Sequence, residues 1–237
     1  EEPALNRFWL ITSRSRRDNP FQAFTYAYIP YCTGDLHLGD RVVTYPGADT
    51  PTHHVGAAKT RASLAALRAL FPAPHDVWLY GYSAGGFAAT YYADAVANAF
   101  PGAGLGVIDD SGLAFEGVEV SPQWNVARPP SCPACATDFS QLLLRDAVRA
   151  PERRYAYLSY TYDAALPKFF HQSAAELHRA ILAFAGRARE TPNVKSFIVP
   201  GYNHIVLQNA RQRSGGEALA AWLQRAVVGD PSWRSRP

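Results

Sequence analysis

Val77-Trp78-Leu79-Tyr80-Gly81-Tyr82-Ser83-Ala84-Gly85-Gly86 decides the fold. The first six residues form an apolar run of the kind found in strands buried on both faces. The next four are small, and a helix is predicted from about Gly85 to Asn98. Gly81-Tyr82-Ser83-Ala84-Gly85 therefore matches G-x-S-x-G between a strand and a helix, the context that gives this short motif its meaning. In such a turn the serine is strained and exposed. The glycines on either side are expected to avoid collisions with the neighbouring strand and helix. A serine at a helix start also faces unpaired backbone N–H groups, that of Ala84 among them, which suits stabilisation of an oxyanion.

Working outward, strands and helices alternate. Ala23–Ile29 reads as an aromatic strand, Arg41–Tyr45 as a short β piece, and Gly56–Leu70 as a helix with Ala57, Leu64, Leu67 and Leu70 at helical spacing, ended by Pro72 and Pro74. After the elbow come a strand at Leu105–Ile108, a helix at Asp138–Arg149, a strand at Arg154–Tyr160, a helix at Ser173–Ala188 with Leu177, Ile181, Leu182 and Phe184 on one stripe, a strand at Val194–Val199, and a helix from about Gly216 to Val228. Such alternation builds a mainly parallel sheet with helices on both faces, an α/β architecture in one domain over residues 1–237. Residues 113–150 read as an insertion over the sheet edge, a candidate lid.

A serine hydroxyl needs a base to take its proton and a carboxylate to orient that base. When the chain order is Ser, then Asp or Glu, then His, each at the end of a strand, the candidates narrow. Of the histidines after Ser83, His178 falls within a predicted helix and His171 just before one, whereas His204 follows the last strand. His204 is the candidate base. Asp163 ends the preceding strand and is the first candidate for the acid, with a helix cap as its competing role. Asp109 and Asp110 are the alternative, and their structural reading is an Asp-Ser-Gly turn holding local backbone donors. Phe115, Trp124 and Tyr162 lie on loops at the same end and are candidates to line the pocket. Tyr82 is a further pocket candidate, although aromatic residues beside an elbow are more often core.

The net charge of +3, spread along the chain, excludes a concentrated basic patch for nucleic acid. No stretch approaches the length and apolarity of a membrane span. Cys132 and Cys135 suit a short disulfide if the protein is secreted, leaving Cys32 as a small buried hydrophobe. His53-His54 has no acidic partner at ligand spacing and reads as loop packing, so neither a metal nor an organic cofactor is implied.

Four segments resemble the pectin acetylesterase and Notum-like family of α/β-hydrolases, especially its bacterial members: Ile29-Pro30-Tyr31-Cys32-Thr33-Gly34-Asp35-Leu36-His37-Leu38-Gly39-Asp40, His53-His54-Val55-Gly56, Gly81-Tyr82-Ser83-Ala84-Gly85-Gly86 and Asp110-Ser111-Gly112. The resemblance implies an α/β-hydrolase fold and a secreted serine esterase acting on small acyl groups, with Ser83, Asp163 and His204 at the triad positions. It also implies a small-molecule or polymeric ester as substrate. Family members carry a Gly-Gly-rich, Cys-Trp-containing loop upstream that supplies oxyanion donors, whereas residues 1–20 here contain no glycine. The second donor, after Ala84, is therefore expected from the backbone around Thr33 and Gly34, with Thr33 also near substrate. Deacetylation of a carbohydrate is the leading expectation. Hydrolysis of polyesters or aryl esters, and ligand binding without turnover, are the alternatives.

Overall fold

The computed structural model describes residues 10–113, 115, 120–128, 132, 135 and 138–237. Much of the expected insertion therefore lies outside the described residues. The centre is a four-stranded parallel sheet of β3 (Asp76–Tyr82), β4 (Gly104–Asp110), β5 (Arg154–Tyr160) and β6 (Val194–Val199), paired in that order. Consecutive parallel strands require crossovers, and helices supply them. α2 (Ala84–Ala99) follows β3, α3 (Ser140–Arg149) precedes β5, and the short α4 (Leu166–Phe170) and long α5 (Ala174–Glu190) join β5 to β6. Ahead of the sheet, β1 (Arg41–Val43) and β2 (Thr52–His54) form an antiparallel hairpin leading into α1 (Gly56–Leu70). After β6, the two-residue strands β7 (Arg213–Ser214) and β8 (Glu217–Ala218) precede α6 (Leu219–Val228).

The sheet separates two apolar layers, because successive strand side chains alternate between faces. Val107, Tyr155, Tyr157 and Ile198 join Phe87, Leu142, Leu143, Ile181 and Phe184 from α2, α3 and α5. Ile108, Leu158, Phe197 and Val199 join Trp222 and Leu223 of α6, together with Leu10, Ile11 and Phe21 from the start of the described chain. Trp222 is wholly buried, and its indole N–H donates to the Arg234 carbonyl at 2.7 Å, satisfying the one polar atom it takes inside.

Local chemistry fixes the helix ends. α5 begins with a capping box between Ser173 and Glu176. The first amide of α1 is held from a distance, since Gly56 N–H donates to Asp35 Oδ2 at 2.8 Å. Gly229, at φ 68°, closes α6 in the left-handed conformation.

Three expectations change. Ala23–Ile29 forms no strand: the segment is irregular, and its anchor is Tyr26, whose single O–H is shared between the carbonyls of Ile11 at 2.7 Å and Phe21 at 2.8 Å. Aromatic enrichment there reflects packing rather than a ladder, as Phe21 sits edge-on to Trp78 at 5.3 Å. Cys32 is exposed, not buried, with Lys59 Nζ 3.0 Å from its sulfur. Leu70 and Leu182, counted on the apolar stripes of α1 and α5, are 70% and 46% exposed, so both stripes are narrower than their periodicity suggests. The Cys132–Cys135 disulfide is formed, with Cα atoms 5.4 Å apart.

Asp109 is the most consequential polar group in the core. It is fully buried, accepting from Thr90 Oγ1 of α2 at 2.6 Å and from Gly112 N–H at 2.7 Å. Burial pushes its carboxyl up to about 7. Between about pH 4 and 7 the folded protein thus retains a proton that the unfolded chain has released, so stability falls as pH rises through that window. Asp109→Asn can keep both contacts, accepting from Gly112 and donating to Thr90. The expected result is a shallower loss of stability between about pH 5 and about pH 8 than in the wild type, read from urea midpoints at the two pH values. Parallel slopes in both proteins would contradict it.

Candidate active site

β3 delivers Ser83 to the carboxyl end of the sheet, where α2 begins. The turn is as tight as the motif suggests: Ser83 is a non-glycine residue at φ 49°, and its N–H donates to the Asp110 carbonyl at 2.9 Å. A Cβ on Gly81 would collide with the Gly85 backbone, which makes Gly81 obligatory. Gly85 itself faces open space, contrary to the expectation that both flanking glycines avoid collisions. The second obligatory position is Gly86, where a Cβ would lie 2.6 Å from Asp109 Oδ1 and 2.7 Å from the Gly112 Cα. The start of α2 is therefore packed directly on the Asp-Ser-Gly turn that ends β4.

That turn also organises the loop after β6. Asp110 Oδ1 accepts the Val206 N–H and Oδ2 the Leu207 N–H, both at 2.9 Å, and the Ser111 hydroxyl donates to the His204 carbonyl. Ser111 adopts φ 60° to do so. One residue thus holds the amide of Ser83 through its carbonyl and the backbone beyond His204 through its carboxylate. Burial pushes the Asp110 carboxyl up to about 7, against the pull of these two amides, and Asp109 beside it raises it further.

His204 Nδ1 lies 2.6 Å from Asp163 Oδ2. The Asp163 side chain is fully buried and that of His204 is 20% exposed, so the pair is open to solvent only on the imidazole side. Asp163 Oδ1 accepts the N–H groups of Ala165 and Leu166 at 2.8 and 2.9 Å, turning the chain into α4. The helix-cap role and the histidine-partner role, alternatives on the sequence, coexist on the two oxygens of one carboxylate. Asp109 and Asp110 spend their oxygens on Thr90, Gly112, Val206 and Leu207 instead.

The pocket candidates divide. Trp124 lines a cavity of about 210 Å³ with Leu36, Val120, Phe169 and Phe170. Phe170 packs edge-on to Phe87, one turn into α2 beyond Ser83, at 5.6 Å, and α4 starts from the Asp163 turn. The cavity therefore borders the elements that begin at Ser83 and Asp163, and α4, which supplies its aromatic wall, has no periodicity long enough to be read from sequence. Phe115 is not part of it. It is 3% exposed and packs against Phe184, because the apolar face of α5 draws it into the core. Tyr82 is 37% exposed beside Ser83, and Tyr162 is the middle of a ring stack between His178 and Tyr202. Thr33 engages its hydroxyl with Asp35 and its carbonyl with His54 Nδ1 at 2.9 Å. Gly34, at φ 62°, follows it on the exposed side of that loop. His54 is buried between Thr33 and the Tyr45 hydroxyl, a loop-packing role, and no group of three or more metal-ligating side chains occurs among the described residues. No described helix is long and apolar enough to cross a membrane.

No curated protein matches the chain in sequence. Among solved structures 62 chains match, including the Wnt deacylase Notum from Drosophila, with a TM-score of 0.58 at 16% identity over 87% of this chain and 68% of that one. That likeness shows the α/β-hydrolase fold. The family model for pectinacetylesterase matches residues 3–128, from the start of the chain through the hairpin, the elbow, the Asp-Ser-Gly turn and Trp124. With more than half of its length so matched, the chain belongs to the pectinacetylesterase family and is a carboxylic ester hydrolase.

Proposed function

We propose that the protein removes acetyl-type groups from carbohydrate esters through an acyl-enzyme on Ser83, with His204 as general base and acid and Asp163 as its orienting carboxylate. The observation that carries this reading is the 2.6 Å contact between His204 Nδ1 and the buried Asp163, in a loop hung from the same Asp110 that holds the Ser83 amide.

In the first step Ser83 Oγ attacks the ester carbonyl while His204 Nε2 takes its proton. Asp163, accepting from Nδ1–H, keeps the tautomer that leaves Nε2 free and stabilises the imidazolium that forms. The negative charge develops on the former carbonyl oxygen. The N–H of Ala84, in the first turn of α2 where no intrahelical acceptor exists, is directed toward that charge. The backbone at Gly34 is the proposed second donor. Collapse of the intermediate expels the sugar hydroxyl with the proton from His204, and water repeats the sequence to release acetate. The disulfide between Cys132 and Cys135 fits an oxidising compartment and supports an extracellular setting.

Ser83→Ala is expected to bring hydrolysis of short-chain aryl acetates down to the background rate and to abolish labelling by a fluorophosphonate. Equal rates in wild type and variant would remove the serine from the mechanism. For Asp163→Asn, turnover should fall by about four orders of magnitude through the wrong histidine tautomer. The amide oxygen still accepts from Ala165 and Leu166, so thermal stability should be nearly retained in that variant, whereas Asp163→Ala should lose on the order of 1 kcal/mol as well. Near-normal turnover in Asp163→Asn, at normal stability, would exclude the assigned role.

A further inference from the structure

Two loops carry Asp163 and His204, and a stack of rings joins those same loops. Tyr162 lies parallel to His178 of α5, with centroids 4.1 Å apart and an interplanar angle of 3°, and parallel to Tyr202 at 4.9 Å and 17°. Tyr162 is the middle ring, so its faces are taken up. Tyr202 is the outer ring and is 70% exposed.

Exposed tyrosines usually sample several rotamers, but this one stands on a rigid base. Thr161 N–H donates to the Val199 carbonyl and Tyr162 N–H to the Gly201 carbonyl, both at 2.9 Å, and Gly201 N–H donates to Thr161 Oγ1 at 3.1 Å. His178 Nδ1 lies 2.7 Å from the Thr161 carbonyl, fixing the inner ring. The molecule thus holds a flat aromatic surface in water, two residues from His204, stacked on a hydrogen-bonded base. An ordered, solvent-facing ring gains little for folding; its face is available to a ligand. Tyr82, 37% exposed, immediately precedes Ser83, so an exposed tyrosine lies within two residues of each of Ser83 and His204 in sequence.

We propose that the outer face of Tyr202 is a subsite for the glycan chain that bears the ester, stacking on the C–H face of a sugar ring next to the acetylated residue. This rests on the esterase reading above and names its substrate class as polymeric. The family match to pectinacetylesterase favours a glycan over an aromatic polyester, the other chain that would stack on tyrosine. A small aryl acetate carries no neighbouring sugar ring to occupy the subsite, which separates the subsite from the chemistry.

Two measurements test it. Wild type, Tyr202→Phe and Tyr202→Ala are assayed on acetylated pectin and on para-nitrophenyl acetate, and binding of acetylated pectin is measured by affinity electrophoresis on Ser83→Ala with and without Tyr202→Ala. The expected result is a rise in KM on pectin for Tyr202→Ala that exceeds any change on the aryl acetate by about tenfold, with Tyr202→Phe close to wild type, and about tenfold weaker binding in the double variant. Equal losses on both substrates would reduce the stack to a brace for the Asp163–His204 pair and overturn the proposal. So would unchanged pectin binding or, when the same Ser83→Ala pair is applied to an aromatic polyester surface, retention there without retention by pectin. A wild type inactive toward aryl acetate and unlabelled by fluorophosphonate would instead overturn the esterase reading, while the binding comparison still decides the subsite.

Discussion

Asp110 is the residue on which the site depends. Its carbonyl receives the Ser83 amide, and its two carboxylate oxygens receive the amides of Val206 and Leu207. Ser111 adds the bond to the His204 carbonyl. Ser83 follows β3 and His204 follows β6, far apart in sequence, so their relation must be set by something both touch. The end of β4, paired with β3 on one side and β5 on the other, is that common support. It imposes two costs. Ser83 and Ser111 both take positive φ without being glycine, the kind of local strain that the surrounding structure must over-determine. α2 must also approach the turn so closely that Gly86 and Gly112 meet backbone to backbone, leaving no room for a side chain at either position.

The same arrangement places two neighbouring carboxylates out of water. Asp109 and Asp110 are wholly buried and both are pushed up to about 7, desolvation outweighing their donors. Three backbone amides and two hydroxyls, those of Thr90 and Ser111, nevertheless converge on them. The arrangement makes sense because a carboxylate offers two oxygens at a fixed spacing, one for each of two backbone donors, whereas a hydroxyl offers a single oxygen. At position 110 that bidentate geometry fixes two consecutive amides of the loop that carries His204. An apolar residue there would leave two buried N–H groups unpaired, at a cost on the order of 1–3 kcal/mol each. The buried charge is the means of fixing a loop rather than a source of net stability.

Much of this was legible in the sequence, for reasons that differ by element. β3, β5, β6 and α1 could be placed because their apolar patterns have a period and their ends carry Gly, Pro or charge. The elbow was legible because its constraint is steric, and steric constraints leave glycines behind. Ala23–Ile29 misled because aromatic side chains have the same appearance whether a backbone ladder or, as here, Tyr26 and Phe21 hold the segment in place. Phe115 misled because a loop position close in sequence to the site is drawn into the core by Phe184, and nothing local records that pull. The Tyr162 stack was hidden for the same reason, since its three rings come from three separate elements and only the tertiary fold makes them parallel.

Asp163 shows why residue roles inferred from sequence should not be treated as exclusive. A cap and a histidine partner compete as explanations only if a carboxylate has one productive oxygen. Here Oδ1 binds the amides that start α4, and that geometry directs Oδ2 at His204. The cap is therefore part of the orientation: a carboxylate held by two amides cannot rotate away from the imidazole without breaking them. α4 in turn carries Phe169 and Phe170 into the cavity wall, so the turn that aims the carboxylate also places the aromatic surface beside it. Asp110 uses the same chemistry differently, spending its two oxygens on consecutive backbone amides, with the Ser111 hydroxyl a longer 3.4 Å donor to Oδ1. Of two buried aspartates at the ends of adjacent strands, the one with an oxygen left over is the one available to the histidine.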